Sequence, residues 1–120
     1  MDVSGRHEEA GEYLMVAAAV HASVGSARIE AVEGMGLARS REEPTLRAVA
    51  AVVAGAVAEL PEPPGGHVVA ERGEFYEEEP VAVEGHLGVG PDFKYVESVA
   101  ERQTVQAAHH AAYATRRLVL

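Results

Sequence analysis

The chain has 120 residues with neither cysteine nor tryptophan, and its 10 basic and 19 acidic residues give a formal net charge of -9. This length predicts a single domain over residues 1–120, and 48% apolar with 24% charged residues is typical of a folded globular domain rather than a disordered one. The absence of cysteine excludes disulfides and thiol chemistry.

Charge is distributed unevenly along the chain, which bears on its partners. Binding nucleic acid through its phosphates requires a surplus of Lys and Arg on the surface. Residues 71–92 contain seven acidic residues and one basic residue, whereas residues 93–120 contain four basic and two acidic ones. The acidic run at 74–79 is typical of a solvated surface. We therefore expect any contact with nucleic acid at the last stretch of the chain.

Residue usage and hydropathy indicate the setting of the protein. Glu outnumbers Asp 17 to 2 and Asn is absent, a bias found in heat-adapted proteins and equally explained by a GC-rich genome. The first residues are polar and acidic, unlike a signal peptide. The longest uncharged apolar run, residues 48–58, has 11 residues, and a membrane-spanning helix needs about 20. The sequence predicts a cytoplasmic protein without a membrane partner.

The chain opens with three predicted strands, over residues 1–5, 12–22 and 27–33. The second is a continuous apolar run, and the third alternates in part between apolar and polar residues. The short Ser/Gly segment between them suits a hairpin, so we expect the three strands to pair antiparallel. Gly34 and Gly36 are expected to end the third strand.

The pattern then changes to that of a helix over residues 45–60. Pro44 is tolerated in the first turn of a helix, and Glu42 and Glu43 stand where they favour its positive end. Residues 48–58 are apolar nearly all round. We therefore expect this helix to be covered by a sheet and also by another helix or a second copy of the chain. A homodimer is thus a candidate assembly.

The second half of the chain is predicted to return to the sheet. Residues 61–66 form a rigid connection rich in Pro and Gly. We then expect a strand over 67–70, a loop or very short element within 80–92, a strand over 93–99 and a helix over 100–118. This order predicts an α+β fold, broadly α/β, with one mixed five-stranded sheet and helices on its faces.

Two segments carry a resemblance to a known superfamily. Residues 2–5 read Asp-Val-Ser-Gly, and residues 106–113 read Gln-Ala-Ala-His-His-Ala-Ala-Tyr. The first is similar to the Asp-x-Ser-Gly opening of uncharacterised families in the ribonuclease H-like superfamily. The second resembles their Gln-x-x-Asp-x-x-Ala-Tyr pattern, with His109 at the place of the acid. The resemblance implies a ribonuclease H-like fold in which Asp2, Glu71 and His109 form the catalytic site.

The same resemblance implies Mg²⁺ or Mn²⁺ as cofactor and a nuclease or related phosphoryl hydrolase as activity. Divalent cations held by carboxylates stabilise both the attacking and the leaving oxygen of a phosphodiester, and Mg²⁺ prefers oxygen ligands. The expected metal ligands are Asp2, Glu71 and Glu101. Helical periodicity places Glu101 on the buried face of the last helix and His109 at its border. Glu101 and His109 therefore compete for the third position, and the choice stays open.

A second function stays open beside the enzymatic one. The first long helix lacks a carboxylate in its middle, where the resemblance would place one. A non-catalytic interaction module with a degenerate site, self-associating through the apolar helix, therefore competes with the metal-dependent hydrolase.

Overall fold

The computed structural model describes residues 1–88 and 92–120. Its elements in chain order are β1 (Asp2–Ser4), β2 (Met15–Val24), β3 (Ile29–Ser40), α1 (Leu46–Ala58), β4 (Val68–Ala70), a 3₁₀ helix (Arg72–Phe75), α2 (Pro80–Leu87), β5 (Phe93–Tyr95) and α3 (Val99–Val119). The predicted α+β class is confirmed. The loop or very short element expected within 80–92 is the two-turn helix α2, and residues 89–91 of that segment lie outside the described part.

The strands form two sheets in the described residues, so the predicted single five-stranded sheet is wrong. The first sheet is antiparallel in the order β1-β2-β3, as the hairpin pattern predicts, and the second pairs β4 and β5 in parallel. No ladder joins β1 and β4 in the described residues; the Met1 amino nitrogen, just before β1, donates a hydrogen bond to the Val69 oxygen of β4 (2.9 Å).

The prediction that Gly34 and Gly36 end the third strand is also wrong, because β3 continues through both. A Cβ at Gly36 would overlap the carbonyl oxygen of Ala56 in α1, and a Cβ at Gly34 would lie 2.8 Å from Cδ of Pro61. Glycine inside a strand often marks a close approach of another backbone. Here the two glycines let the end of α1 pack directly on β3.

Helix α1 is covered on two sides by its own chain. Its buried residues pack with the first sheet, and α2 packs on it as well. Thr45 caps its start by accepting a hydrogen bond from the Ala48 amide (3.1 Å). The second cover expected for the apolar helix is therefore α2, and the argument for a homodimer through this helix no longer holds.

Helix α3 packs on the opposite face of the first sheet, where Ala108 and Ala112 meet Ala18 of β2. Its start is fixed by a capping box, in which Ser98 and Glu101 each bind the backbone amide of the other (3.1 and 3.0 Å). The first sheet thus lies between α1 and α3. Among the described residues, no helix combines the length and apolar character needed to cross a bilayer.

Candidate functional site

A buried carboxylate and an exposed imidazole meet where β1 lies under α3. Residue Asp2 is 8% exposed, and its Oδ2 lies 3.0 Å from Nδ1 of His109. Alternation along β1 explains the placement: Met1 and Val3 join the core beneath α1, so Asp2 faces α3 on the other side of the sheet. The side chain of His109 is 58% exposed. Two of the predicted catalytic residues are therefore in contact.

The contact with Asp2 determines which nitrogen of the neutral His109 ring carries the proton. An ionised carboxylate only accepts hydrogen bonds, so Nδ1 of His109 donates to Asp2. In the neutral ring Nε2 is then the unprotonated nitrogen, which accepts a proton. Because Nδ1 is engaged with a buried group and most of the ring is exposed, Nε2 is the nitrogen that solvent or a substrate reaches. This is the arrangement of a carboxylate-oriented general base.

A second carboxylate, Glu74, whose side chain is 11% exposed, was missed by the sequence reasoning. Its Oε1 accepts a hydrogen bond from the backbone amide of Val3 (2.6 Å) and lies 3.1 Å from Nη2 of Arg6. Arg6 also donates to the Glu74 carbonyl oxygen, and its guanidinium lies over the Tyr76 ring. Glu74 stands in an acidic run, a pattern typical of a solvated surface. The apolar Phe75 next to it is the local sequence sign that this segment packs against the core, where Phe75 is fully buried.

Burial perturbs both carboxylates. Loss of hydration raises the pKa of Asp2, and the hydrogen bond and charge of His109 oppose this rise. Loss of hydration also raises the pKa of Glu74; the Arg6 charge opposes the rise and the nearby charge of Asp2 adds to it. Neighbouring carboxylates with raised pKa values are more frequent at functional sites than elsewhere.

The other two predicted site residues form ion pairs of their own. Oε1 of Glu71 lies 3.4 Å from Nη1 of Arg102, with both side chains substantially exposed. Glu101 binds the Lys94 ammonium (2.9 Å) besides capping α3. Although burial raises the pKa of Glu101, the hydrogen bonds from Lys94 and from backbone amides lower it overall. Along α3, Glu101 and His109 are separated by about 12 Å, so the two side chains do not meet at one candidate metal site.

These positions bear on the predicted metal site. Within residues 1–88 and 92–120, no three His, Asp or Glu side chains come together closely enough to hold a metal ion. In the structure Asp2 contacts His109, whereas Glu71 is paired with Arg102 and Glu101 with Lys94. Binding of Mg²⁺ or Mn²⁺ stays a prediction.

A pocket of about 310 Å³ lies near the start of α3. Its walls are mostly apolar and include Met1, with His21, His67, Glu101 and Thr104 among the polar groups. Neither Asp2 nor His109 lines the pocket, although it adjoins the same strand and helix.

Comparison with known proteins overturns the ribonuclease H-like resemblance. The similarity of residues 2–5 and 106–113 to that superfamily rests on short segments, whereas a single family model of a different description matches residues 1–120. No curated protein and no solved structure matches the chain. The assignment to the ribonuclease H-like superfamily is therefore wrong. By the match over its full length, the chain belongs to the family described as "Uncharacterized protein conserved in archaea (DUF2209)".

Proposed function

We propose that this protein is a phosphoryl hydrolase in which His109, oriented by Asp2, is the general acid–base. The observation that carries the proposal is the 3.0 Å contact between the buried Asp2 carboxylate and Nδ1 of the exposed His109. Imidazole is the side chain whose ordinary pKa lies closest to neutral pH, which suits proton transfer. A carboxylate kept away from water costs stability, and orienting a catalytic imidazole accounts for that cost.

The chemistry assigned to the pair is hydrolysis of a phosphate ester. Nε2 of His109 takes a proton from water as the water oxygen forms a bond to phosphorus. The bond from phosphorus to the ester oxygen breaks, and the leaving oxygen takes the proton from Nε2. Asp2 stabilises the imidazolium that exists between these steps and holds the ring in the tautomer that accepts at Nε2.

The surface of α3 supports a phosphate rather than an uncharged substrate. Arg102, Gln106 and His109 follow one another at helical spacing, so they share one exposed stripe that Tyr113 continues. The side chain of Arg102 is 58% exposed and that of its partner Glu71 is 44% exposed, and the distance from Nη1 to Oε1 is a long 3.4 Å. A pair this exposed contributes little stability, so a phosphate can replace Glu71 at little cost. Bidentate binding of phosphate is a typical role of Arg.

The divalent cation stays part of the proposal. Mg²⁺ is commonly held by one or two carboxylates together with substrate phosphate oxygens and water. Asp2 offers such a carboxylate beside the proposed substrate stripe. When bound, the cation would supply charge stabilisation for the phosphate oxygens. Because Asp2 is 8% exposed and its Oδ2 is bound to His109, substrate phosphate oxygens and water would supply most of the ligands.

The test measures hydrolysis of p-nitrophenyl phosphate and bis-p-nitrophenyl phosphate with and without Mg²⁺ or Mn²⁺. We expect His109→Gln and Asp2→Asn to lower kcat by about a hundredfold or more. The matched control is His110→Gln, because adjacent helical positions point about 100° apart. Arg102→Gln should raise KM more than it lowers kcat. Hydrolysis by the His109→Gln variant at the wild-type rate, or no hydrolysis of either ester by the wild type, would refute the proposal.

A further inference from the structure

Strand β3 forms an edge of the first sheet. It has 12 residues and, in the described part of the chain, pairs only with β2. An edge strand presents unpaired amide and carbonyl groups that another strand can bind. Proteins usually protect such edges with bulges, charges or short length. The two halves of β3 differ in this protection.

The first half of β3 carries this protection. The register with β2 shifts twice there, between His21 and Ala22 and between Ser23 and Val24. Glu30 and Glu33 add negative charge to the same half. An irregular backbone opposes a regular hydrogen-bonded ladder with a further strand. The regular part of the edge therefore begins at Gly34, and Glu33 borders it.

The second half of β3 is regular and apolar on one face. Its pairing with β2 runs without a shift from Gly34 to Ser40. Helix α1 packs on the face that includes Gly36, whereas Met35 and Leu37 on the other face are 47% and 39% exposed. Helix α3 lies mainly over β1 and β2. Two large apolar side chains thus remain beside an unprotected backbone edge.

We propose that this half of β3 binds the same segment of a second copy of the chain, antiparallel and about a two-fold axis, to form a six-stranded sheet. Directly opposite residues in an antiparallel pair share one face. A pairing centred on Gly36 meets this condition and places Met35 opposite Leu37 of the second copy. The same pairing brings Glu33 beside Arg39 of the second copy. Such an interface is isologous, as closed dimers require.

The charges along β3 favour antiparallel over parallel pairing of the two copies. Glu33 stands just before the regular half of β3, whereas Arg39 is the next-to-last residue of the strand. Antiparallel pairing centred on Gly36 places Glu33 of each copy beside Arg39 of the other. Parallel pairing in register would place like charges together, which opposes association. The formal charge of -9 on each copy opposes association at long range. Salt at about 0.15 M screens charge repulsion beyond about 8 Å, so it should strengthen the dimer.

The first experiment measures the mass of the full chain by sedimentation equilibrium from micromolar to millimolar concentration in 0.15 M salt. We expect a species of twice the 12.7 kDa chain mass. Leu37→Lys should raise the dissociation constant at least about tenfold, because it places a charge in the apolar contact. The matched control is Val81→Lys on α2, where the side chain is 75% exposed. Circular dichroism checks that both variants are folded.

The second experiment tests the register by charge reversal. Arg39→Glu alone and Glu33→Arg alone should each weaken the dimer, since each brings like charges together in both halves of the interface. An equimolar mixture of the two variants should recover association, because every Glu then faces an Arg. A wild-type chain that stays at 12.7 kDa at millimolar concentration overturns the proposal. Equal weakening by Val81→Lys overturns it too, and a mixture that fails to associate overturns the register.

Discussion

Replacement of Gly36 by Ala tests the packing of α1 on β3. From local propensity alone, Ala in place of Gly inside a strand is expected to stabilise by about 0.5–1 kcal/mol. In the structure, the added methyl group would overlap the carbonyl oxygen of Ala56 and lie 3.2 Å from the Leu60 nitrogen. These are backbone atoms, so no side-chain rotation relieves the overlap, and the helix must move away from the sheet.

The expected change in the free energy of unfolding for Gly36→Ala follows from these opposing effects. Overpacking of this kind costs up to about 3 kcal/mol, and the propensity gain offsets less than about 1 kcal/mol of it. A net loss of about 2 kcal/mol corresponds to a fall in Tm of about 8 °C for a domain of this size.

The assay is thermal unfolding followed by circular dichroism, with Gly85→Ala as the matched control. Gly85 lies within α2, and a Cβ there meets nothing within 4 Å. We expect Gly85→Ala to raise Tm, since Ala is a better helix former by about 1 kcal/mol. The reasoning about α1 and β3 is refuted if Gly36→Ala also raises Tm.

Three further predictions concern stability. Arg116→Met should lower the free energy of unfolding by about 1–3 kcal/mol in urea titration, because the buried Arg116 Nε donates to the Leu14 carbonyl oxygen (2.8 Å); Arg117→Met on the exposed face is the control. Ser98→Ala should cost about 1 kcal/mol by the same titration, since the capping box of α3 is lost; an unchanged value would contradict the role of the box. Burial raises the pKa of Asp2 above its ordinary 3.8, so its contribution to stability is fully present below that pH and is lost as the pH rises through the folded-state pKa. Asp2→Asn should therefore flatten the fall of Tm as the pH rises above about 4 and leave the variant more stable than the wild type at neutral pH; a steeper fall would contradict this.

Local patterns in the sequence were sufficient for the two long helices and for the turn between β2 and β3, but not for α2 or for the second half of β3. The apolar stretch after Pro44 predicted α1, and the pattern of 100–118 predicted α3 within one residue at each end. Both succeed because helix periodicity and turn residues act between near neighbours in the chain. Asp2 and His109 also came from the sequence, although the family resemblance that suggested them is wrong.

Only the tertiary structure decided which elements approach one another. Gly36 is the usual sign of a strand end, yet here it allows close contact with a helix backbone about twenty residues further along the chain. Glu74 stands in an acidic run and is buried because β1 packs against the 3₁₀ helix and Val3 donates to it across 71 residues. Contacts between distant segments leave no period in the local sequence. The periodicity of the chain thus determined its two long helices and its hairpin turn, whereas the contact of Asp2 with His109, the burial of Glu74 and the exposed edge of β3 arose from packing.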